Sequence, residues 1–335
     1  MKKILKILIQ NIPNIPFLSH YSSGLGTIFM MHRVDTIDKQ GLSNVENLKL
    51  SPEYLENVIA KLTQMDYDFI ALEEVEERLR KKSNRKFVVF TLDDGYKDNY
   101  TIAYPIFKKY NIPFTVYVTS SFPNRTASLW WYSISELILK EEVISTVDNE
   151  KIDTKSMEEK EEAFRLLKKK ILTFDIKNIE EKISNYLPMY SFNFREKCEE
   201  LCMSWEELKV MVKDPLVTIG GHTINHPALN KLSEEDVLKE VITNKIELEE
   251  KLLVSVKLFS YPFGGEDTVG LREFNLLDKL NFKNSTTTRT GNIFPIHKDY
   301  LSSLPRIALT ENYELRKKMF MNPILINRGK RINLK

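Results

Sequence analysis

The chain has 335 residues, a formal net charge of +2 and 42% hydrophobic residues. This composition excludes a disordered chain, and the nearly balanced charge argues against a dedicated nucleic-acid-binding protein, which is usually clearly basic. Two cysteines, Cys198 and Cys202, are too few for a disulfide framework.

The chain begins with a basic, partly apolar segment at 1–26. Its short apolar run is interrupted by Gln10 and Pro13, so it is too short to span a bilayer, and no small-residue cleavage site follows. We therefore expect no signal peptide and a cytoplasmic protein. The tail at 311–335 is also basic. Two interpretations stay open: solvated ends, or a peripheral contact with anionic lipid at the inner membrane face.

Strand-like and helix-like segments alternate between these two ends. The pattern predicts strands at 27–32, 68–72, 86–92, 114–118, 216–220, 257–262 and 283–288. Helical patterns lie between them, and two have clear starts: Ser51 with Pro52, and a capping box from Ser233 to Asp236. Alternating strands and helices predict βα units around a parallel sheet. A run of about seven units favours a barrel over an open sheet.

Residues 124–213 interrupt this alternation. They contain "LWWYSISELILKEE", "SMEEKEEAFRLLKKK" and other amphipathic helical patterns, but no convincing strand. We predict a helical insertion from one loop, rather than a separate domain.

Two adjacent carboxylates, Asp93 and Asp94, follow the strand at 86–92 in "VVFTLDDG". Successive side chains of an extended segment point to opposite sides, so the two carboxylates cannot have the same surroundings. This arrangement suits one metal ligand and one free base. A plain Asx-turn that ends the strand is the alternative.

Two histidines, His222 and His226, lie four residues apart in "TIGGHTINHPALNKLS". Neutral imidazole is the commonest metal ligand among side chains. Two histidines and one carboxylate, with an open position, make a catalytic site for a divalent metal. The pair therefore predicts a metal site that includes one of the two aspartates.

His32 ends the predicted strand at 27–32, and Phe263 directly follows the one at 257–262. In a parallel barrel, the carboxyl ends of the strands converge on the face where active sites lie. We therefore expect both residues to lie in one cleft with the paired aspartates and the two histidines. This combination predicts a metal-dependent hydrolase.

These motifs resemble those of the polysaccharide deacetylases (NodB homology, carbohydrate esterase family 4). "TLDDG" is similar to the first family motif, T-F-D-D-G, with Leu92 in place of Phe, and "HTINH" is similar to the second, a histidine pair. "SYPFG" resembles the third, which is usually R-x-P-[YF]. The resemblance covers about 27–310. It implies a distorted (β/α)7 barrel with the helical insertion, and a carbohydrate N-deacetylase.

The resemblance also implies roles for individual residues. Asp93 would be the general base, and the backbone N–H of Phe263 would belong to the oxyanion hole. Asp94, His222 and His226 would hold a divalent metal, for which Zn²⁺ is the expected ion.

Two departures from the family motifs change these assignments. Ser260 stands where the third motif has arginine, and we predict that Arg306, in "LPRIAL", replaces it as the partner of the base. The late family motif with the general-acid histidine is also absent. Some members of the family look circularly permuted and have this histidine on an early strand. "MMHRV" resembles that arrangement, so we assign the general acid to His32. His297 is the rival, in a segment that reads as an exposed loop.

The expected substrate is an N-acetylated glycan or a lipid-linked sugar precursor of the cell surface. In "SLWWYS", Trp131 and its neighbours predict a sugar-stacking platform or, equally, core anchors for the insertion. Two alternatives remain for the whole protein: a metal-dependent sugar-nucleotide glycosyltransferase, and a non-catalytic glycan-binding protein with the same fold.

Overall fold

A computed structural model of the chain describes residues 24–81, 83–174 and 178–311. Within these ranges, the strands are β1 Gly26–Met31, β2 Arg33–Val34, β3 Lys49–Leu50, β4 Asp68–Phe69, β5 Phe87–Leu92, β6 Phe114–Val118, β7 Val143–Ser145, β8 Lys151–Asp153, β9 Val217–Gly221, β10 Leu258–Ser260, β11 Asn284–Thr290 and β12 Leu304–Ala308.

Helices surround the strands. The α-helices of the described ranges are α1 Ser43–Glu46, α2 Pro52–Gln64, α3 Val75–Arg80, α4 Tyr104–Lys109, α5 Trp130–Lys140, α6 Met157–Ile171, α7 Ile179–Tyr186, α8 Phe194–Leu201, α9 Trp205–Met211, α10 Glu234–Leu252 and α11 Leu271–Lys279. Short 3₁₀ helices lie at Leu72–Glu74, Leu229–Lys231, Pro295–Asp299 and Leu301–Ser303, and a π-helical turn lies at Asn99–Ala103.

Seven parallel strands form a closed barrel in the order β1, β12, β11, β10, β9, β6, β5, and β5 pairs back to β1. All six residues of β1 and of β5 are buried. Continuous apolar runs of this kind are expected for parallel strands that are covered on both faces. The predicted (β/α)7 barrel is confirmed.

One strand of the barrel differs from the prediction. The segment predicted at 68–72 forms only the two-residue β4, which pairs with the first half of β5 and lies outside the ring. The seventh barrel strand is β12 instead, which the sequence analysis did not predict. Pro305 lies inside β12, and an internal proline argues against a strand in a sequence pattern.

The predicted helix starts at Ser51 and Ser233 are confirmed. The Ser51 side chain accepts a hydrogen bond from the backbone N–H of Tyr54, at the start of α2. The Ser233 side chain likewise accepts one from Asp236, at the start of α10. Both caps satisfy backbone donors that have no partner within the helix.

Between β6 and β9 lie the helices α5 to α9, and α5, α6 and α7 share a hydrophobic core that includes Ile134, Phe164 and Ile183. The expectation that 124–213 contains no strand is wrong. Within it, β7 and β8 form an antiparallel pair. Each has three residues, which is too short for an alternating pattern to be recognisable in the sequence.

No helix in the described part of the chain is both long enough and apolar enough to cross a membrane. The basic ends lie almost entirely outside the described residues, so the lipid contact predicted for them stays a prediction.

Candidate active site

Most of the predicted site residues lie at the carboxyl ends of the barrel strands. Asp93 and Asp94 directly follow β5, and His222 directly follows β9. His32 directly follows β1, and Arg306 lies within β12, which pairs with β1. Residues distant in sequence therefore meet at one end of the barrel.

Asp94 lies between the two histidines. Its Oδ1 is 3.3 Å from Nε2 of His222 and 3.4 Å from Nε2 of His226. Within the described residues, ligand atoms of these three side chains all lie within 4.8 Å of one another. Asp94 Oδ1 is buried and has no hydrogen-bond partner. A buried carboxylate oxygen without a partner is costly unless a cation compensates it, so the cluster fits a divalent metal ion.

The surroundings of His222 fix its orientation and its tautomer. Its Nδ1 lies 2.7 Å from the backbone carbonyl of Ser260. A carbonyl oxygen can only accept, so Nδ1 carries the proton of the neutral ring and Nε2 presents a lone pair. The buried Asn244 of α10 accepts the backbone N–H of His222. Asn244 was missed by the sequence analysis, although a polar residue on the buried face of an amphipathic helix is a recognisable signal.

The protonation states in this cluster favour metal binding. Burial lowers the pKa of His226 to about 4, so the imidazole is neutral at neutral pH. Burial opposes ionisation of Asp94, but the neighbouring His222 and His226 outweigh it and hold the pKa of the carboxyl below its usual range. A carboxylate and a neutral imidazole are the protonation states in which these side chains bind a divalent metal.

The backbone at the site adopts a conformation that side chains rarely allow. Asp94, Thr223, His226 and Phe263 have φ values of 76°, 67°, 56° and 59°. The left-handed region is unfavourable for residues other than glycine. Such residues are held there by their surroundings and cluster at functional sites.

Asp93 faces a different partner, Arg306. The two side chains form a buried, two-pronged ion pair, with 2.7 Å between Nη1 and Oδ1 and 2.7 Å between Nη2 and Oδ2. Burial raises the pKa of Asp93, but the Arg306 guanidinium outweighs this effect and holds the pKa below its usual range. Arg306 Nη2 also donates to Ser260 Oγ at 2.9 Å, so the serine that stands in place of the third-motif arginine contacts the arginine from β12.

His32 lies at the same cleft. It is partly exposed and interacts electrostatically with Asp93, Asp94 and His226. Its backbone carbonyl accepts a hydrogen bond of 2.9 Å from Asn99 Nδ2. These interactions place His32 in the neighbourhood of the three residues.

His297, the rival of His32, lies at the opposite end of the barrel. The segment is exposed at Pro295, Ile296, Lys298 and Asp299, as expected, but it forms a 3₁₀ helix, and the His297 side chain itself is buried, at 5% exposure. The preceding Ile293 exchanges backbone hydrogen bonds with Leu25 and Gly26, at the start of β1. Ile293 is buried, so the chain enters this 3₁₀ helix from the core of the protein. A local sequence pattern does not show this contact with distant residues.

Phe263 and Trp131 differ in their relation to the cleft. The Phe263 side chain is 57% exposed, and its ring centroid lies 4.9 Å from that of His226. Trp131 packs against Trp130 and Tyr132 within the insertion. No ring contact or ion pair found among the described residues joins it to the Asp94 cluster. The structure thus brings Phe263 to the site and shows Trp131 packed within the insertion, where its contact with a sugar stays a prediction.

Comparison with known proteins adds a family match and a set of related folds. Residues 80–278 match the family model described as polysaccharide deacetylase, which is more than half of the chain. A 38-residue stretch is 50% identical to YxkH of Bacillus subtilis, whose description names a polysaccharide deacetylase. That stretch covers 11% of this chain and 14% of the relative.

Two solved structures share the fold over most of the chain. The Streptococcus pyogenes deacetylase PplD, in complex with acetate, superposes with a TM-score of 0.58 at 20% identity, over 88% of this chain and 97% of that one. IcaB from Ammonifex degensii superposes with a TM-score of 0.56 at 18% identity, over 89% and 97% of the two chains. At these identities, the likeness establishes the barrel fold that the two proteins share with this chain.

Proposed function

Because the chain belongs to the polysaccharide deacetylase family, we propose that it is a metal-dependent carbohydrate N-deacetylase that removes the acetyl group from an acetamido sugar. The observation that carries the proposal is the division of labour between the paired aspartates. Asp94 faces two imidazoles, and Asp93 faces a guanidinium. Hydrolysis of an acetamide needs both a polarised carbonyl and a base for water.

Asp94, His222 and His226 would hold the divalent ion, for which Zn²⁺ is our choice. Their three ligand atoms leave further coordination positions open, as in catalytic rather than structural sites. When bound, such an ion supplies Lewis acidity toward the acetyl carbonyl and lowers the pKa of water.

Asp93 is the proposed general base. It is ionised at neutral pH because Arg306 holds its pKa low, so it can accept a proton as water attacks. The two-pronged contact with Arg306 fixes the plane of the carboxylate. Arg306 is therefore proposed to orient the base, in place of the arginine that Ser260 replaces.

The Phe263 backbone N–H is the proposed donor to the oxyanion. Among the described residues, no acceptor is hydrogen-bonded to this N–H. The backbone of Phe263 has a left-handed conformation beside the site. A backbone donor aimed at the developing negative charge stabilises the tetrahedral state more than the ground state.

His32 is the proposed general acid. The amine of an acetamide is a poor leaving group, and its nitrogen must be protonated before the C–N bond breaks. His32 interacts electrostatically with the carboxylates on which the reaction depends and directly follows β1, the strand beside β5. A proton donor and a proton acceptor would thus flank the reacting carbon.

The substrate is proposed to be a cell-surface glycan or its lipid-linked precursor, handled at the inner membrane face through the basic ends of the chain. The support is the charge of those ends, with Arg316, Lys317 and Lys318 in one of them, since clustered basic residues bind anionic lipid surfaces. A cytoplasmic, peripheral location follows from the same proposal.

The test is acetate release by purified protein from soluble N-acetylhexosamine oligomers and from lipid-linked N-acetylhexosamines, with and without added Zn²⁺. We expect zinc-dependent release without any nucleotide. Release from soluble chitin-like oligomers alone would contradict the lipid-linked substrate. Tight glycan binding without acetate release would favour a binding protein, and a requirement for a sugar nucleotide would favour a glycosyltransferase.

A further inference from the structure

The segment that follows the paired aspartates also holds the backbone around His32. Asp98 and Asn99 come four and five residues after Asp94 and are 6% and 0% exposed. They lie where the π-helical turn at Asn99–Ala103 begins. Polar side chains buried this completely need hydrogen-bond partners, and here most of those partners belong to the strand end that carries His32.

Asp98 binds the two residues after His32. Its Oδ2 accepts a hydrogen bond of 2.6 Å from Arg33 Nε, and its Oδ1 accepts the backbone N–H of Val34 at 3.0 Å. Arg33 is also buried, at 6% exposure, and its Nη1 donates to the hydroxyl of Tyr132 at 3.2 Å. A buried ion pair with further hydrogen bonds is a directional contact. These contacts therefore hold the two residues after His32 in a fixed position relative to Asp98.

Asn99 binds His32 itself. Its Nδ2 donates to the His32 backbone carbonyl at 2.9 Å and to Asp98 Oδ1 at 3.2 Å. His32 lies at a bend between β1 and β2, where no strand pairing fixes its backbone. Asp98 and Asn99 therefore help to fix the backbone from which the imidazole projects.

We propose that Asp98 and Asn99 are positioning residues that hold the His32 imidazole in register with the paired aspartates. This inference rests on the proposed role of His32 as general acid. One short segment, from Asp93 to Asn99, then carries the base and a metal ligand and also sets the position of the acid. A small displacement of a group that must transfer a proton lowers the rate steeply.

The experiment compares two substrates that differ in their need for an acid. An N-acetyl sugar needs a protonated leaving group, whereas an aryl acetate releases a stable phenolate without protonation. Asn99→Leu has a similar volume and removes the donor to the His32 carbonyl. We expect its kcat on the N-acetyl sugar to fall by about tenfold, with KM unchanged and aryl acetate hydrolysis within about twofold of the wild type.

Asn284→Leu is the matched control. Asn284 is also buried, its Nδ2 donates to the Leu72 carbonyl at 3.1 Å, and its Oδ1, like that of Asn99, has no hydrogen-bond partner. It lies at the amino end of β11, away from the cleft. We expect a similar loss of thermal stability without a change in the ratio of the two activities. An equal loss on both substrates in Asn99→Leu would overturn the proposal.

A second measurement separates this proposal from the proposed function. The imidazole Hε1 resonance of His32, assigned by its loss in His32→Ala, should shift in Asn99→Leu, while that of His297 stays in place. If the wild type releases no acetate from any N-acetyl sugar, the proposed function fails, and this shift still supports the positioning role. An unchanged His32 resonance would overturn it.

Discussion

Two histidines at opposite ends of the barrel, the partly exposed His226 and the buried His297, have similarly lowered pKa values and different surroundings. Burial lowers the pKa of both His226 and His297 to about 4. His226 faces Asp94 and His222, whereas His297 accepts a single backbone hydrogen bond, from Phe294. A lowered pKa therefore does not mark a functional site by itself. The carboxylate with an unpartnered oxygen distinguishes the carboxyl end of the barrel from the amino end.

The largest effect should follow from removing that carboxylate. We expect Asp94→Asn to lose zinc binding and to lower kcat/KM for acetate release by a factor on the order of 10³, because the amide is a weak ligand. Metal content and acetate release measure both effects. Asp68→Asn is the control at the other end, where Asp68 pairs with Arg78 and Arg85. If Asp94→Asn keeps its zinc and its activity, the cluster is not the metal site.

The next effect concerns the partner of Asp93. Arg306→Lys keeps the positive charge and loses the two-pronged contact, and we expect kcat to fall by about 10- to 100-fold. The unfolding free energy should fall by roughly 1–3 kcal/mol, because the hydrogen bonds to Thr287, Thr91 and Ser260 are also disturbed. Steady-state kinetics and urea unfolding measure the two quantities. A wild-type kcat would show that the orientation of Asp93 is not limiting.

At the amino end of the barrel, His297 should affect the pH dependence of the unfolding free energy. The pKa of His297 is about 4 in the folded protein and about 6.5 when unfolded. As the pH falls below about 6.5, His297 therefore becomes protonated in the unfolded chain but not yet in the folded protein. The unfolding free energy falls until about pH 4, where the folded protein also binds the proton. The difference amounts to about 3 kcal/mol.

His297→Asn keeps an acceptor near the Phe294 N–H and removes the titration. We expect it to be less stable than the wild type at pH 7 but to lose less stability between pH 6.5 and 4, as measured by urea unfolding at each pH. An acid-induced loss as large as that of the wild type would show that His297 does not contribute to it.

The smallest effect is expected at the exposed ring of Phe263. Phe263→Ala leaves the proposed backbone donor in place, so kcat should change by less than about threefold and the unfolding free energy by about 0.5 kcal/mol or less. KM for the glycan should rise if the ring contacts the sugar. A loss of kcat far above this range would place the ring, rather than the backbone, in the chemistry.

Structural features that depend on one local sequence pattern are the easiest to predict. The buried runs of β1 and β5, and the serine caps of α2 and α10, are local patterns with direct structural causes. The paired aspartates and the two histidines are recognisable because their chemistry is unusual at strand ends. Their convergence follows from the barrel.

Other features depend on distant contacts and could not be predicted in the same way. Strand β12 contains Pro305, so its place in the barrel is decided by its pairing with β1 and β11. The burial of His297 depends on the packing of Pro295–Asp299 against α3. Asn244 is recognisable in the sequence as a polar residue on the apolar face of α10, but its partner, the backbone N–H of His222, lies 22 residues away and is identified only when α10 is placed against the barrel.

The closure of the barrel has a consequence for biosynthesis. Phe29 of β1 pairs with Ile307 of β12, 278 residues later, so one edge of β1 has no partner until β12 has left the ribosome. Unpaired strand edges of nascent chains bind other chains and promote aggregation. Arg306 arrives with that same strand. A growing chain therefore carries an Asp93 without its arginine partner until the ring closes, so closure of the barrel also completes the buried Asp93–Arg306 ion pair.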